Sequence, residues 1–400
     1  MSLSVASHFA FVTNPPAARL SDGAAPRDLR IDFFRGLALV MIFIDHISGN
    51  RLAALTLQRM GFADAAEVFV FIAGLTAVLA YRKVFERSGF RAACGAVFQR
   101  VRTLYLVHLA TFIGVVFFAT SANLAGTGFD IVRKLELAPL IAEPVQALLR
   151  VPVLGYMPNY LDILPLYVIL LAFIPTILIG LKHHVLLPLG VALLVYGGAT
   201  VLGANLPNFG SAEGWFLNPF AWALLFVIGA TVAQLTISGF WGKITRLVKT
   251  GITIVALCAV AFAFLHAAPW RIFPPLEHLV VIPFAIESNK AFLSLNRLID
   301  FLAKAWLVAV FIPSHAAFLV QGAGAAISRM GRHSLPVFTA GIFLSLAASV
   351  IIFEANEAPL AQIGTTFAGI AVMAGLAWFL ERRKGFSAIV QPSIQGTSAA

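Results

Sequence analysis

Four ionisable residues fall inside one apolar stretch near the start of the sequence. Asp32, Arg35, Asp45 and His46 are embedded in a run of Phe, Leu, Ile, Val and Met. Eleven residues separate Arg35 from His46, which on a helix is about three turns and about 16 Å, so both side chains point to one face. Charges within a membrane span are costly and mark functional positions by default. The alternative is that Asp32 pairs with Arg35 and that His46 is a hydrogen-bonded core histidine.

Two later positions carry groups that complement this set. Arg100 and Arg102 stand at the start of the third apolar stretch, where guanidinium groups and a helix N-terminus both favour phosphate; a basic loop end is the alternative. Asp162 opens the fourth stretch, as either a helix N-cap or a catalytic carboxylate. A histidine base acting on a hydroxyl, arginines for an anionic donor and a further carboxylate fit acyl transfer.

Motifs for other chemistries are missing from the sequence. It has no phosphate-binding loop with its lysine, no dinucleotide-binding glycine fingerprint and no Gly-x-Ser-x-Gly elbow. No Cys or His pair has metal-ligand spacing. Nucleotide hydrolysis is therefore unsupported, and neither a metal nor a resident cofactor is expected.

The composition predicts the elements that must position these residues. Of the 400 residues 60% are hydrophobic and 12% are charged, against about 25% charged in soluble domains. The apolar runs are continuous rather than alternating, which favours helices over a barrel. The predicted fold is an all-α, polytopic transmembrane bundle of about ten helices. The ten windows cover residues 32–49, 66–82, 102–122, 162–181, 185–204, 215–237, 250–268, 301–320, 334–353 and 362–380.

The basic residues predict the orientation of this bundle. With the N-terminus inside, 18 of the 28 Lys and Arg residues fall in cytoplasmic segments and nine outside, which puts both termini in the cytoplasm. We expect residues 1–26 and 385–400 to be disordered cytoplasmic tails around a transmembrane domain at 27–384. Residues 123–161, outside, are expected to form short interfacial helices. The net charge of +10 suits an anionic leaflet, and no nucleic-acid partner is expected.

Seven segments, in order along the chain, carry a family resemblance: residues 27–36, 43–46, 67–74, 102–108, 160–167, 218–222 and 331–338. With these segments the chain resembles the OpgC proteins, bacterial inner-membrane enzymes that succinylate osmoregulated periplasmic glucans. A more distant similarity is to membrane acyltransferase family three, in which a first-helix arginine precedes a histidine and arginines precede the third helix.

The resemblance implies roles for individual residues. His46 would be the catalytic base, with Arg35, Arg100 and Arg102 serving a coenzyme A donor. The remaining site candidates are Asp45 and Asp162 as further catalytic residues and Arg332 and His333 as further substrate-binding residues.

The expected function is therefore succinyl or other short-acyl transfer from cytoplasmic acyl-CoA, as co-substrate, to a periplasmic glucan, at the inner membrane among its lipids. A transporter or flippase for a lipid or saccharide would use the same buried charges to line a pathway. A structural scaffold is disfavoured because it needs no Arg and His on one stripe. The acyl group, the acceptor and the oligomeric state stay open.

Overall fold

A computed structural model describes residues 28–268 and 288–390. The predicted tail at 1–26, residues 391–400 of the predicted tail at 385–400, and residues 269–287 of the segment 269–300, which the predicted orientation places outside, are not among these residues. All long regular elements within them are helices, which confirms the all-α class. The helices are α1 Leu29–His46, α2 Ala65–Leu124, α3 Ile131–Lys134, α4 Ala138–Ala142, α5 Pro144–Arg150, α6 Ile163–Ala172, α7 Ile174–His183, α8 Leu187–Leu202, α9 Pro219–Ile237, α10 Phe240–Lys243, α11 Arg246–Ala267, α12 Leu295–Phe311, α13 Gly322–Arg332, α14 Ser334–Glu354 and α15 Pro359–Val390.

Each of the ten predicted windows overlaps one of these helices, except that 162–181 covers both α6 and α7, and 301–320 extends beyond the end of α12. By length and apolar composition, however, five helices in the described ranges can cross a membrane, or six when one bent pair counts as a single span. The count of ten is therefore not confirmed, although the membrane character is. α1 and α8 are not among these helices, because α1 carries four charged residues and α8 has only 16 residues.

Two long apolar regions are interrupted. α2 has 60 residues and a non-helical backbone at Gly89, with φ 78°. At 1.5 Å per residue it is about 90 Å long, three times the thickness of a hydrocarbon core, so it holds two predicted windows on either side of Gly89. α6 and α7 are bent by 46° around Phe173, and Pro175 follows in the first turn of α7, where its ring prevents continuation of the preceding ladder.

Between the long helices, the structure differs from the prediction at the start of α12. Residues 131–150 form the three short helices α3, α4 and α5, as expected. α12, by contrast, begins at Leu295 rather than near residue 301. Arg297 and Asp300 are therefore buried in its first turns instead of lying in an outer loop. Charged residues usually mark the ends of membrane spans, which is why the predicted window begins after Asp300. Arg297 and Asp300 instead have ion-pair partners inside the fold.

Glycines set the closest helix crossings. A Cβ at Gly36 of α1 would overlap the Ile327 carbonyl of α13, and one at Gly331 of α13 would overlap the Asp32 carbonyl of α1. Small residues at such points let two backbones touch, which is how membrane helices pack in the absence of a hydrophobic driving force. This crossing places Arg35, next to Gly36, beside the end of α13.

Gly331→Ala should lower the midpoint of thermal unfolding, because the new methyl group must displace the α1 backbone and overpacking costs typically about 1–3 kcal/mol. The control is Gly375→Ala on α15, where no described heavy atom lies within 4 Å of the added Cβ and alanine favours the helix. Tryptophan fluorescence of the detergent-solubilised variants measures both. Equal midpoints for the two variants would contradict the close crossing.

Candidate active site

A cavity of about 2160 Å³ lies between α1, α2, α9, α11, α12, α13 and α14. Its wall is largely apolar, but it carries four arginines, one lysine and one histidine, and also the carboxylates of Asp28 and Asp32. We call it the basic cavity, after these lining residues: Arg30, Arg35, Arg100, Lys249, Arg332 and His333.

Arg35 reaches the basic cavity from α1 and donates from Nη2 to Thr76 Oγ1 of α2, at 2.8 Å. Thr76 is two residues from Gly74, whose missing side chain lets α2 lie against the Phe226 carbonyl of α9. The position of the Arg35 guanidinium therefore depends on two close helix crossings, that of α1 with α13 at Gly36 and that of α2 with α9 at Gly74. Thr76 was not identified from the sequence, since a single threonine in an apolar run carries no signal.

The structure separates the predicted arginine pair on α2. Arg100 lines the basic cavity, whereas Arg102 is exposed and is not among the cavity residues. Two residues on a helix differ by about 200°, so neighbours at this spacing face opposite ways. The expectation that both arginines form one phosphate site therefore does not match the geometry. In the described part of the chain, no acidic side chain forms an ion pair with Arg100 or Lys249.

Arg332 and His333 line the basic cavity at the junction of α13 and α14. Arg332 is already paired, since its Nη2 lies 2.7 Å from Glu381 Oε1 on α15. Arg329 pairs with the other oxygen of the same carboxylate at 2.6 Å. Arg332 therefore links α13 to α15, and the single carboxylate shared by two guanidinium groups leaves one net positive charge at this junction. His333 is 4% exposed.

The other end of α1 carries a second polar group of residues. His46 is the last residue of α1, and its ring centroid lies 4.0 Å from that of Tyr160, with the planes at 43°. Asp45 accepts a 2.6 Å hydrogen bond from Thr56 Oγ1. Asp162 is buried directly before α6, and its carboxylate makes no capping hydrogen bond, which disfavours the N-cap interpretation. We call Asp45, His46, Tyr160 and Asp162 the histidine cluster.

A buried ion network lies next to the histidine cluster. Arg297 of α12 donates from Nε to Glu67 Oε1 at 2.7 Å and from Nη2 to Asp64 Oδ2 at 3.0 Å. Lys290 Nζ lies 2.6 Å from the same Asp64 oxygen. Glu67 is fully buried and its Oε2 accepts from the Asp64 backbone N–H, completing a capping box at the start of α2. Asp64 and Lys290 act electrostatically on His46.

Lys134 and Tyr160 lie near His46 but outside the membrane-spanning helices. Lys134, the last residue of α3, lies with Nζ 5.0 Å from the centroid of the Tyr160 ring. Burial lowers the pKa of Lys134. Burial, with a smaller contribution from Glu136, raises the pKa of Tyr160 to about 12. The phenol is therefore neutral at physiological pH, and it acts through its ring and as a hydrogen-bonding group.

The eight predicted site residues thus fall into two groups at opposite ends of α1. Four line the basic cavity, three belong to the histidine cluster and Arg102 belongs to neither. The cavity follows α2 from Tyr81 to Phe69, a rise of about 18 Å. Phe69 is two residues from Glu67 along α2, a rise of about 3 Å, although neither Glu67 nor His46 is among the residues that line the cavity.

The ion network was not predicted as part of the site, although residues 67–74 were noted as a motif. The spacing of Asp64 and Glu67 is a capping-box signal, but no pattern joins them to Arg297 at a separation of 230 residues. A partner so distant in sequence can be identified only from the folded structure.

Arg297→Leu should destabilise the protein strongly, because removing one partner of a buried ion pair costs about 3–5 kcal/mol. Arg329→Leu is the matched control, since its partner Glu381 is 38% exposed and keeps Arg332, and exposed pairs are worth about 0–1 kcal/mol. Chemical unfolding in detergent compares the two. A loss no larger for Arg297→Leu than for the control would refute the role given to the network.

One protein family matches this chain. A family described as OpgC protein matches residues 27–385, which is nearly the whole chain. No curated protein matches the sequence. The family associates the chain with the modification of osmoregulated periplasmic glucans. The expected resemblance is thereby confirmed, and the chain belongs to the OpgC family.

Proposed function

We propose that this protein is a membrane O-acyltransferase, which moves a succinyl or other short acyl group from cytoplasmic acyl-CoA to sugar hydroxyls of periplasmic glucans. The observation that carries the proposal is the basic cavity, in a chain of a glucan-modifying family. It offers cationic side chains, an apolar passage along α2 and a lining that ends at Phe69, two residues from Glu67 of the ion network.

The proposal includes an orientation. Ten spans result when α2 counts as two, α6 and α7 as one, and α1, α8, α9, α11, α12, α14 and α15 as one each. Both termini are then cytoplasmic, in the bacterial inner membrane. The basic cavity opens to the cytoplasm, and the histidine cluster lies towards the periplasm.

The donor is assigned to the basic cavity. Acyl-CoA carries several phosphate charges, and guanidinium groups bind phosphate through paired hydrogen bonds. Arg100 and Lys249, which have no acidic partner in the described ranges, supply the charge at the mouth, and Arg35 supplies it deeper. Arg332 and His333 shape the wall. Arg102 lies outside the cavity lining and is left out of the donor site.

The reaction is assigned to His46. Its imidazole removes a proton from a sugar hydroxyl, whose oxygen then attacks the thioester carbonyl carbon of the donor. The new C–O bond forms as the C–S bond breaks, and the coenzyme A thiolate takes the proton from the imidazolium. Asp45 and Asp162 accept hydrogen bonds from the acceptor sugar, since carboxylates are acceptors when ionised.

The bent helix pair α6 and α7 favours a second candidate function, transport. The break between α6 and α7 resembles the discontinuous helices that line transport pathways. A transporter or flippase for a lipid or saccharide would move its substrate past the same polar groups without forming a bond. Turnover of acyl-CoA by the purified protein separates the two functions, because only the acyltransferase cleaves a thioester.

His46→Ala should lower acyl transfer by about 10²- to 10⁴-fold, the usual contribution of a general base. The assay follows transfer from radiolabelled succinyl-CoA to glucan by protein purified in detergent. His184→Ala is the control, since His184 is exposed after α7. Full activity of His46→Ala would exclude the mechanism, and an inactive native protein would exclude the function.

Arg100→Lys should weaken acyl-CoA binding about tenfold, since lysine lacks the planar fork and a charge-assisted hydrogen bond is worth about 1.5–3 kcal/mol. Arg102→Lys is the matched control, two residues away on α2 but outside the cavity. Titration calorimetry with a non-hydrolysable acyl-CoA measures both affinities. Equal losses would indicate a diffuse basic surface instead of a donor site in the cavity.

A further inference from the structure

Tyr160 has a backbone conformation that aromatic residues rarely adopt. Its φ is 73°, in the left-handed region, which is sterically unfavourable for a residue with a bulky side chain. Such residues persist when the surrounding structure holds them, and they cluster at functional sites. The neighbourhood of Tyr160 therefore bears on the role of its ring.

The segment around Tyr160 is fixed to the end of α3. The Asn159 backbone N–H donates to the Leu135 carbonyl at 3.1 Å, and Asn159 Nδ2 donates to the Lys134 carbonyl at 3.3 Å. Leu161 N–H donates to the Pro158 carbonyl at 3.2 Å, which closes the turn. These hydrogen bonds hold the unfavourable backbone in place.

The ring of Tyr160 contacts the group to which we assign the chemistry. Its centroid is 4.0 Å from that of the His46 ring, and Lys134 Nζ lies 5.0 Å from it. His46 is the last residue of α1, and the chain leaves the helix at Ile47. A side chain at a helix end needs a packing partner to keep one orientation, and a general base must be oriented to act.

We infer that Tyr160 is the positioning residue of His46: the strained turn presses the aromatic ring against the imidazole, fixes its orientation and restricts access of water to it. The neutral phenol is not required for this role, because the contact is made by the ring. The catalytic consequence rests on the proposed acyl transfer, whereas the contact itself does not.

The first measurement needs no knowledge of the substrate. Diethyl pyrocarbonate modifies accessible imidazoles, and mass spectrometry of peptides gives the rate at His46 in the full-length protein. Tyr160→Gly should increase this rate several-fold, because glycine keeps the left-handed turn without steric cost and removes the ring. Tyr160→Phe should leave it unchanged. Tyr105→Ala is the control, since Tyr105 donates to the Pro152 carbonyl in the same outer segment and has no ring contact with His46.

The second measurement is steady-state acyl transfer. Tyr160→Gly should lower kcat by about 10- to 100-fold, the loss expected when a catalytic group is misplaced, with an unchanged KM for acyl-CoA. Tyr160→Phe should stay near the native kcat. If Tyr160→Gly does not fold, Tyr160→Asn replaces it, since asparagine also tolerates this conformation.

The outcomes are distinct. A native rate of His46 modification in Tyr160→Gly overturns the inference, and so does a higher rate with a native kcat. A higher modification rate in a protein whose native form transfers no acyl group supports the contact and overturns the proposed function. A rise in KM with an unchanged kcat would make Tyr160 a binding residue and would also overturn its positioning role.

Discussion

The arrangement depends on one constraint: α1 carries charged or ionisable groups at both ends of an apolar helix, and each must have polar surroundings inside the bundle. At one end, the glycine crossing with α13 and the hydroxyl of Thr76 place Arg35 at the basic cavity. At the other end, Thr56 binds Asp45 and Tyr160 packs on His46. Because an unpaired charge is costly in hydrocarbon, these partners determine where the neighbouring helices lie.

The ion network holds in place the helices that surround the histidine cluster. Arg297 joins the start of α12 to the start of α2, and the adjoining segment is held further because Trp222 Nε1 donates to the Lys290 carbonyl at 3.0 Å. Buried ion pairs contribute little net stability but are strongly destabilising when broken. The network therefore fixes the position of elements around His46, at the point where the lining of the basic cavity ends at Phe69.

Periodicity and composition predicted the all-α class, the approximate position of the apolar helices except α12, and the short helices after α2. They also identified Arg35 and Arg100, which meet at one cavity although 65 residues apart. The spacing of Arg100 and Arg102 puts them on opposite faces of α2, but which of the two faces the cavity depends on the neighbouring helices. The sequence could not predict that Glu381 pairs with Arg332 or that Tyr160 packs on His46, since both contacts join distant segments.

The central claim is that donor and acceptor approach α1 from opposite ends. The most direct test uses sealed proteoliposomes with labelled succinyl-CoA outside and glucan either trapped in the lumen or added outside. The account predicts label in the lumenal glucan, transferred by the molecules whose basic cavity faces outwards, and none in the external glucan, because each molecule must bind its substrates from opposite sides. Labelling of the external glucan alone would contradict it.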